Sequence, residues 1–278
     1  MSQKSYDDSP SLYLIPTPIG NLDDITFRSL ELLKSVDFIL SEDTRESGKL
    51  LKKYNINKRL VSCHEFNEEK IKNYVIKELD NGKNIGLITD QGSPIISDPG
   101  FIISKAVIEA NFNVIGLPGA TAFVPALICS GLNPMPFIFY GFLNSKNSKQ
   151  IKELKSLVNY KYTMIFYEAP HRIENTLKNI LSIFGNRKIC VCRELSKIHE
   201  EIYRGSIESI IPLCSSMKGE MVIIVEGNNE IVDYSSLSIV DHVNLYVNDG
   251  MNKNEAIKLV AKERNVAKSI IYKEYHNI

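Results

Sequence analysis

The chain has 278 residues, 44% of them hydrophobic and 24% charged. That leaves room for about two domains of roughly 100–200 residues and excludes a chain too polar to fold. Its 33 basic and 33 acidic residues cancel, which argues against a protein that coats bare nucleic acid by charge alone. No apolar run approaches the ~18–20 residues that span a bilayer. The stretch MSQKSYDDSP is polar and lacks an h-region, so a secretory signal is not expected. The five cysteines, Cys63, Cys129, Cys190, Cys192 and Cys214, are scattered. Their spacing suits neither a disulfide framework nor a zinc site, and reduced thiols in a cytoplasm are expected.

In chain order, residues 1–10 read as a disordered lead-in. Leu12-Tyr13-Leu14-Ile15 is a short apolar run stopped by Pro16, hence a buried strand. Phe27, Leu30 and Leu33 give residues 26–36 a helical spacing. Phe38-Ile39-Leu40 reads as a second strand. Residues 68–80 form an amphipathic helix closed by Gly82. A strand over 85–89, a helix over 101–110 and a strand over 114–117 follow. This alternation predicts βαβ units and a mostly parallel sheet. The turns at 16–21, 41–45, 89–100 and 118–121 each follow a strand, so they gather on the edge where such sheets bind ligands.

A proline-marked boundary near 125–136 separates this first α/β domain (11–125) from a second (126–233). There, strands are expected at 137–140, 163–167, 189–192 and 221–225, with helices at 148–158 and 172–183 and more antiparallel pairing. A third unit, 236–278, reads as helix-turn-helix-like. It has a helix over 236–247, one capped by Asn252 and running to 263, a tight turn at 264–266, and a helix over 268–275. Residues 251–278 hold six Lys/Arg against three Glu.

Neither a GxGxxG fingerprint nor a Walker-type lysine motif occurs, so a nicotinamide enzyme or a P-loop NTPase is poorly supported. The strand-end turns carry the signal instead. They are Thr17-Pro18-Ile19-Gly20-Asn21-Leu22, Ser41-Glu42-Asp43-Thr44-Arg45, Thr89 to Gly100, and Pro118-Gly119-Ala120-Thr121. Further along stand Phe166-Tyr167-Glu168-Ala169-Pro170-His171-Arg172, Arg193-Glu194-Leu195-Ser196-Lys197 and Gly219-Glu220. In this order, over about residues 11–278, the series resembles the tetrapyrrole methylase family, in the branch that methylates a cytidine 2′-hydroxyl of small-subunit (16S) ribosomal RNA.

The resemblance implies a two-domain α/β fold with S-adenosylmethionine in the cleft between the domains, a homodimer, and neither a metal nor a membrane. It sets the cofactor against Pro18, Ile19 and Gly20, against Ser93, Pro94, Ile95 and Ile96, and against Ala120 and Thr121, with Tyr167 nearby. The branch's usual long turn reads Asp-Ala-Gly-Thr-Pro-Gly; here Gln91, Ser93 and Ile95 replace its Ala, Thr and second Gly. Ser93 keeps the hydroxyl, whereas Ile95 removes backbone freedom.

Methyl transfer from a sulfonium to an oxygen is an in-line displacement in which alignment supplies much of the acceleration. A ribose hydroxyl is a poor nucleophile and gains from a base. Asp43, Arg45 and Arg193 are candidates to orient the RNA or complete the cleft, and Glu168 or Glu194 to act as base. Each can equally be a structural ion pair. Asp90 and Asp98 read as caps of local turns or of the next helix. Lys146, Lys149, Lys152, Arg172, Lys253 and Lys268 suit contacts to phosphates. A neutral chain favours the assembled small subunit over free RNA as substrate. The alternative is a porphyrin- or corrin-precursor C-methyltransferase, which leaves the tail and the lysine-rich connector unexplained. A non-enzymatic nucleic-acid-binding regulator would leave the strand-end turns unexplained.

Overall fold

The computed structural model describes residues 3–5, 7–229, 234 and 236–276. Residues 1, 2 and 6 of the expected lead-in, 230–233 at the end of the expected second domain, and 277–278 of the tail lie outside the described residues. The chain divides into two compact units, Met1–Asn228 and Asn229–Ile278.

The first unit holds two five-stranded sheets. One contains β1 (Ser11–Leu14), β2 (Phe38–Ser41), β3 (Leu60–Ser62), β4 (Ile85–Ile88) and β5 (Asn113–Gly116) in the order β3-β2-β4-β1-β5. Every pairing is parallel. Side chains alternate between its faces. Leu12, Phe38, Leu40, Ile85 and Leu87 pack on Val75, Leu79, Ile103 and Val107, which come from α3 (Glu68–Asp80) and α4 (Phe101–Glu109). Ile15, Ile39 and Ile88 pack on Leu33 and Leu51, from α1 (Phe27–Ser35) and α2 (Thr44–Lys53). Helices on both faces explain why the central strands are continuous apolar runs.

After α5 (Phe123–Cys129), the second sheet is built from β6 (Phe137–Phe142), β7 (Thr163–Glu168), β8 (Lys188–Arg193), β9 (Glu201–Ser206) and β10 (Met221–Val225), in the order β6-β7-β10-β8-β9. Only β6 and β7 pair in parallel; the other contacts are antiparallel. One face, with Met164, Phe166, Val191 and Ile223, packs on Leu154, Leu177 and Ile180 of α6 (Asn147–Leu157) and α7 (Ile173–Phe184). The short α8 (Ile207–Ile210) adds Ile207 and Ile210 to that core. The other face, with Ile165, Cys190, Cys192, Val222 and Ile224, packs on Ala126 and Leu127 of α5 and on Ile19 and Phe123. The second sheet therefore turns one face toward the strand-end turns of the first.

Glu68 is buried. Its carboxylate accepts from the amides of Gly100 (2.9 Å), Ile102 (3.0 Å) and Ile103 (3.4 Å). It thus caps the N-terminus of α4, where Gly100 has no side chain to do so.

The second unit is three helices, α9 (Ile239–Asn248), α10 (Lys253–Glu263) and α11 (Lys268–His276), closed around Val243, Ile257, Val260 and Ile271. Ser238 and Asn252 cap α9 and α10. His242 is fully buried and stacks on Tyr234 at 3.7 Å between centroids. Its Nδ1 accepts from Arg264 Nε at 3.1 Å. Its Nε2 lies 3.1 Å from Glu263 Oε2. Burial holds the imidazole below its ordinary pKa of 6.5; Glu263 opposes that and Arg264 adds to it.

Removing the Glu68 carboxylate leaves three amides at the start of α4 without an acceptor. Glu68→Ala should therefore lower stability by about 2–3 kcal/mol, read as a drop in the urea midpoint with unchanged slope. His242 stays neutral in the folded unit while the unfolded chain takes up a proton near 6.5. Stability is therefore present above that value and falls as the pH drops below it. Hydrogen exchange in α9 and α10 of the full chain, corrected for intrinsic rates, should show less protection at about pH 5 than at about pH 7.5. His242→Gln should flatten that difference.

Candidate active site

The parallel strands of the first sheet deliver their turns to one edge, and short bonds knit these turns together. Thr17 and Gly92 exchange both backbone bonds, at 2.9 and 3.1 Å. Thr17 Oγ1 also donates to the Thr89 carbonyl at 3.1 Å. Ser93 Oγ donates to the Ala120 carbonyl at 3.0 Å, which gives the hydroxyl at position 93 a structural task. The turn from Gly92 to Gly100 runs through left-handed backbone at Ile95 (φ 75°) and Ser97 (φ 69°).

The second sheet meets this edge through the turn after β8. Gly20 presses on it so closely that a Cβ would run into Lys197 Cγ and come within 2.9 Å of Ser196 Oγ. The Asn21 amide donates to Ser196 Oγ at 3.0 Å. Lys197 Nζ pairs with Glu194 (3.0 Å) and Glu220 (2.8 Å). Oriented with its amide nitrogen toward them, Gln91 donates to the Ile19 carbonyl at 3.0 Å and to Glu220 at 3.1 Å.

Between the two sheets lies a cavity of about 440 Å³. Ile19, Tyr167, Leu195 and Val222 give it apolar wall, and Ser93, Ile96, Ser97 and Thr121 line the rim of the turns. Glu42, Asp90, Asp98, Glu168 and Glu220 also line it, with no lysine or arginine. Tyr167 stands edge-on to Phe139 and Phe142 at 5.0 and 5.5 Å. Burial pushes its phenol up to about 12, so it stays protonated. Burial first, then the negative charge of Glu42, pushes Asp98 up to about 7. Asp90 is also raised by burial. Among the described residues no group of three His, Cys, Asp or Glu side chains is placed to hold a metal ion.

The expected site residues fall into three sets. Ile19, Ser93, Ile96, Thr121, Tyr167 and Glu168 line the cavity. Pro18 and Gly20 instead line a neighbouring cavity of about 350 Å³, with Lys49, Lys53 and Lys197. Pro94, Ile95 and Ala120 line neither and shape the turns.

The candidates for chemistry are mostly tied down. The Glu168 side chain is 1% exposed. One oxygen accepts from the Ala169 amide (2.8 Å) and faces Arg172 Nε (3.1 Å), and the other accepts from Thr176 (2.6 Å). Arg172 also donates to the Leu143 and Asn144 carbonyls, at 2.8 and 3.3 Å. Both act as internal braces: a base role for Glu168 finds both oxygens taken, and Arg172 has its Nε and Nη2 committed. Burial pushes Glu194 up, but Lys197 and the Glu220 amide outweigh it and leave its pKa low. Asp43 caps α2, and its bonds from Arg45 hold it down to about 2. The Arg45 side chain is 86% exposed. Arg193 pairs with Glu201 at 2.6 Å and donates to the Lys218 carbonyl at 2.9 Å. Lys146, Lys149 and Lys152 stand exposed on and before α6, a few residues after the cavity-lining Phe142. Lys253 and Lys268 are exposed at the starts of α10 and α11. Sequence reasoning gave Asp98 no chemical role, because a carboxylate before Pro-Gly and a helix has the pattern of a cap.

A curated relative, ribosomal RNA small subunit methyltransferase I of Bacillus subtilis strain 168, is 46% identical, covering 99% of this chain and 97% of its own. The protein of the same name from Synechocystis sp. is 38% identical over 94% of this chain and 95% of its own. Among solved structures, the uroporphyrin-III-C-methyltransferase of Thermus thermophilus is 17% identical with a TM-score of 0.57, covering 78% of this chain and 94% of that one. A cobalt precorrin-4 methyltransferase is 18% identical with a TM-score of 0.59 at the same coverage. At such identities these two structures carry the fold alone. With the family model for the tetrapyrrole (corrin/porphyrin) methylases matching residues 11–211, the strand-end cleft sits in a chain that belongs to that family.

Proposed function

We propose that the protein transfers the methyl group of S-adenosylmethionine to the 2′-hydroxyl of a cytidine in 16S ribosomal RNA, on the small ribosomal subunit. The observation that carries this reading is the near-full-length likeness to relatives named as small-subunit ribosomal RNA methyltransferases. The cleft fits the cofactor. Its carboxylates, of which only Glu168 and Glu220 are paired with a cation among the described residues, favour a positively charged ligand, and the apolar wall of Ile19, Tyr167 and Val222 suits an adenine ring. Bound S-adenosylmethionine supplies a methyl group activated on a sulfonium.

The residues of the chain do the rest. Ile19, Ser93, Ile96, Thr121 and Tyr167 hold the cofactor. Pro18, Gly20, Pro94, Ile95 and Ala120 serve it indirectly by fixing the turns. Arg45, with Lys146, Lys149 and Lys152, meets phosphates outside the cleft, where they position the RNA without reading its sequence. Lys253 and Lys268 add phosphate contacts from the C-terminal unit. Within the one compact unit Met1–Asn228 we read the two sheets as the cores of the two expected α/β domains, and a ribosomal substrate implies a cytoplasmic enzyme. A homodimer fits the exposed apolar residues Val124 and Ile128 of α5 and the nearby Met135 and Phe137, of which Ile128 is 72% and Met135 75% exposed.

Labelled methyl from S-adenosylmethionine should appear on a cytidine ribose of small subunits taken from cells lacking this protein, located by nuclease digestion and mass analysis. Free 16S RNA should be labelled more slowly. Label on a uroporphyrinogen-type acceptor, with none on subunits, would overturn the assignment. In sedimentation, the wild type should run as a dimer and Ile128→Asp should shift it toward monomer by roughly tenfold or more in the dissociation constant, as expected for a charge forced into an apolar contact.

A further inference from the structure

An in-line transfer to a ribose hydroxyl needs an acceptor for the hydroxyl proton, and the family fold leaves that role open among several carboxylates. Bonding around the cleft separates them. Both oxygens of Glu168 are taken by an amide, a hydroxyl and a guanidinium. Glu194 and Glu220 share the Lys197 ammonium. Asp90 accepts from the Asp43 amide at 3.2 Å, and Asp43 is bound twice by its own Arg45. Glu42 accepts from Thr89 Oγ1 at 3.0 Å. Asp98 differs. It lines the cavity and is half-buried. Among the described residues no cation and no backbone amide is bonded to its carboxylate, and the Thr89 hydroxyl beside it directs its single proton to Glu42.

We infer that Asp98 is the general base of the methyl transfer, a role that rests on the function proposed above. The proton leaves the 2′-hydroxyl for a carboxylate oxygen of Asp98 while the hydroxyl oxygen forms its bond to the methyl carbon. The sulfur keeps the electron pair of the broken carbon–sulfur bond and becomes a neutral thioether. Asp98 then returns the proton to water.

Its surroundings tune it for this. The groups that face it are Glu42 from the end of β2, Asp90 in its own turn, Glu220 ahead of β10, the neutral Tyr167 of β7 and the Thr89 hydroxyl. Burial and then the charge of Glu42 raise it to about 7; Thr89 partly opposes this, and Asp90 and Glu220 add to it. A base that titrates near the working pH combines adequate ionisation with a useful affinity for the proton. The same acids hold phosphates and other anions off the site, since Coulomb repulsion across a half-buried gap is several-fold stronger than in water.

The test uses the full chain. In the wild type, carbon-13 spectra of the aspartate carboxyls should show one signal titrating near pH 7, and this signal should be absent from Asp98→Asn. Transfer to small subunits should rise with pH through the same region. Asp98→Asn should lose about 10²–10⁴-fold in kcat, and that limb of the profile with it. Its affinity for S-adenosylhomocysteine, measured by calorimetry, should stay within about threefold of wild type, which also reports that it folds. Asp98→Glu should restore part of the rate. An Asp98 signal that titrates below pH 5, or an Asp98→Asn enzyme with wild-type kcat and pH profile, overturns the inference. Absence of label on subunits with the wild type overturns the functional reading itself, and the carboxyl titration remains readable in that case.

Discussion

The structure depends on one close approach, that of the loop after β1 to the turn after β8. Gly20 has no Cβ, so its backbone can settle against Lys197 and Ser196. That contact brings Lys197 within reach of both Glu194 and Glu220 and lets Gln91 span from Ile19 to Glu220. Two sheets of different topology are thereby pinned along one line, and the cavity opens beside it. Each bond alone is worth little, because most are partly exposed to water. Their joint effect is geometric. They fix where the turns of a parallel sheet meet the face of a mostly antiparallel one, and a Cβ at position 20 would push the Lys197 and Ser196 side chains out of that meeting.

Charge is divided with the same economy. The whole chain is neutral, yet the cleft wall carries acids and no lining base, while α6 carries exposed lysines. A phosphate entering the cleft would meet several negative groups in a medium of reduced dielectric. A sulfonium would meet the same groups favourably. The division places anion-attracting groups outside the cleft and cation-attracting groups within it. Neutrality overall therefore describes a balance of two local fields rather than an absence of fields.

Much of the fold was legible in the sequence. Strands β1, β2, β4 and β10 are unbroken apolar runs, and α3 and α7 have clear amphipathic spacing, because both kinds of element are buried on defined faces. Four elements were not legible, one of them the single-turn α8. α2 offers the core only Leu51 with Ser47, β3 is three half-exposed residues, and β9 is an edge strand with no fully buried residue. Partnering, not local pattern, makes each of these regular. The site divides in the same way. Turns that follow strands were found because topology sends them to one edge. Roles within the turns depend on which oxygen already has a partner. Hence Glu168 and Arg172, which look like chemistry in the sequence, lie in a buried brace. Glu68, which looks like an ordinary surface acid, is a buried cap.

Ile95 shows how strongly the cleft dictates its backbone. A β-branched residue at φ 75° carries a steric penalty of roughly 1–2 kcal/mol. Glycine would remove that penalty, and the resembling pattern has glycine there. The path is kept all the same, because the turn is held on every side. Gly92 is paired to Thr17, Ser93 is bonded to Ala120, and Glu68 grips the Gly100 amide. The Ile95 side chain gains contact in return, since it lies against Gly100, where a Cβ would come within 3.2 Å of it. Strain at one residue is thus balanced by burial of that same residue, and the backbone still presents Ile96, Ser97 and Asp98 to the cavity.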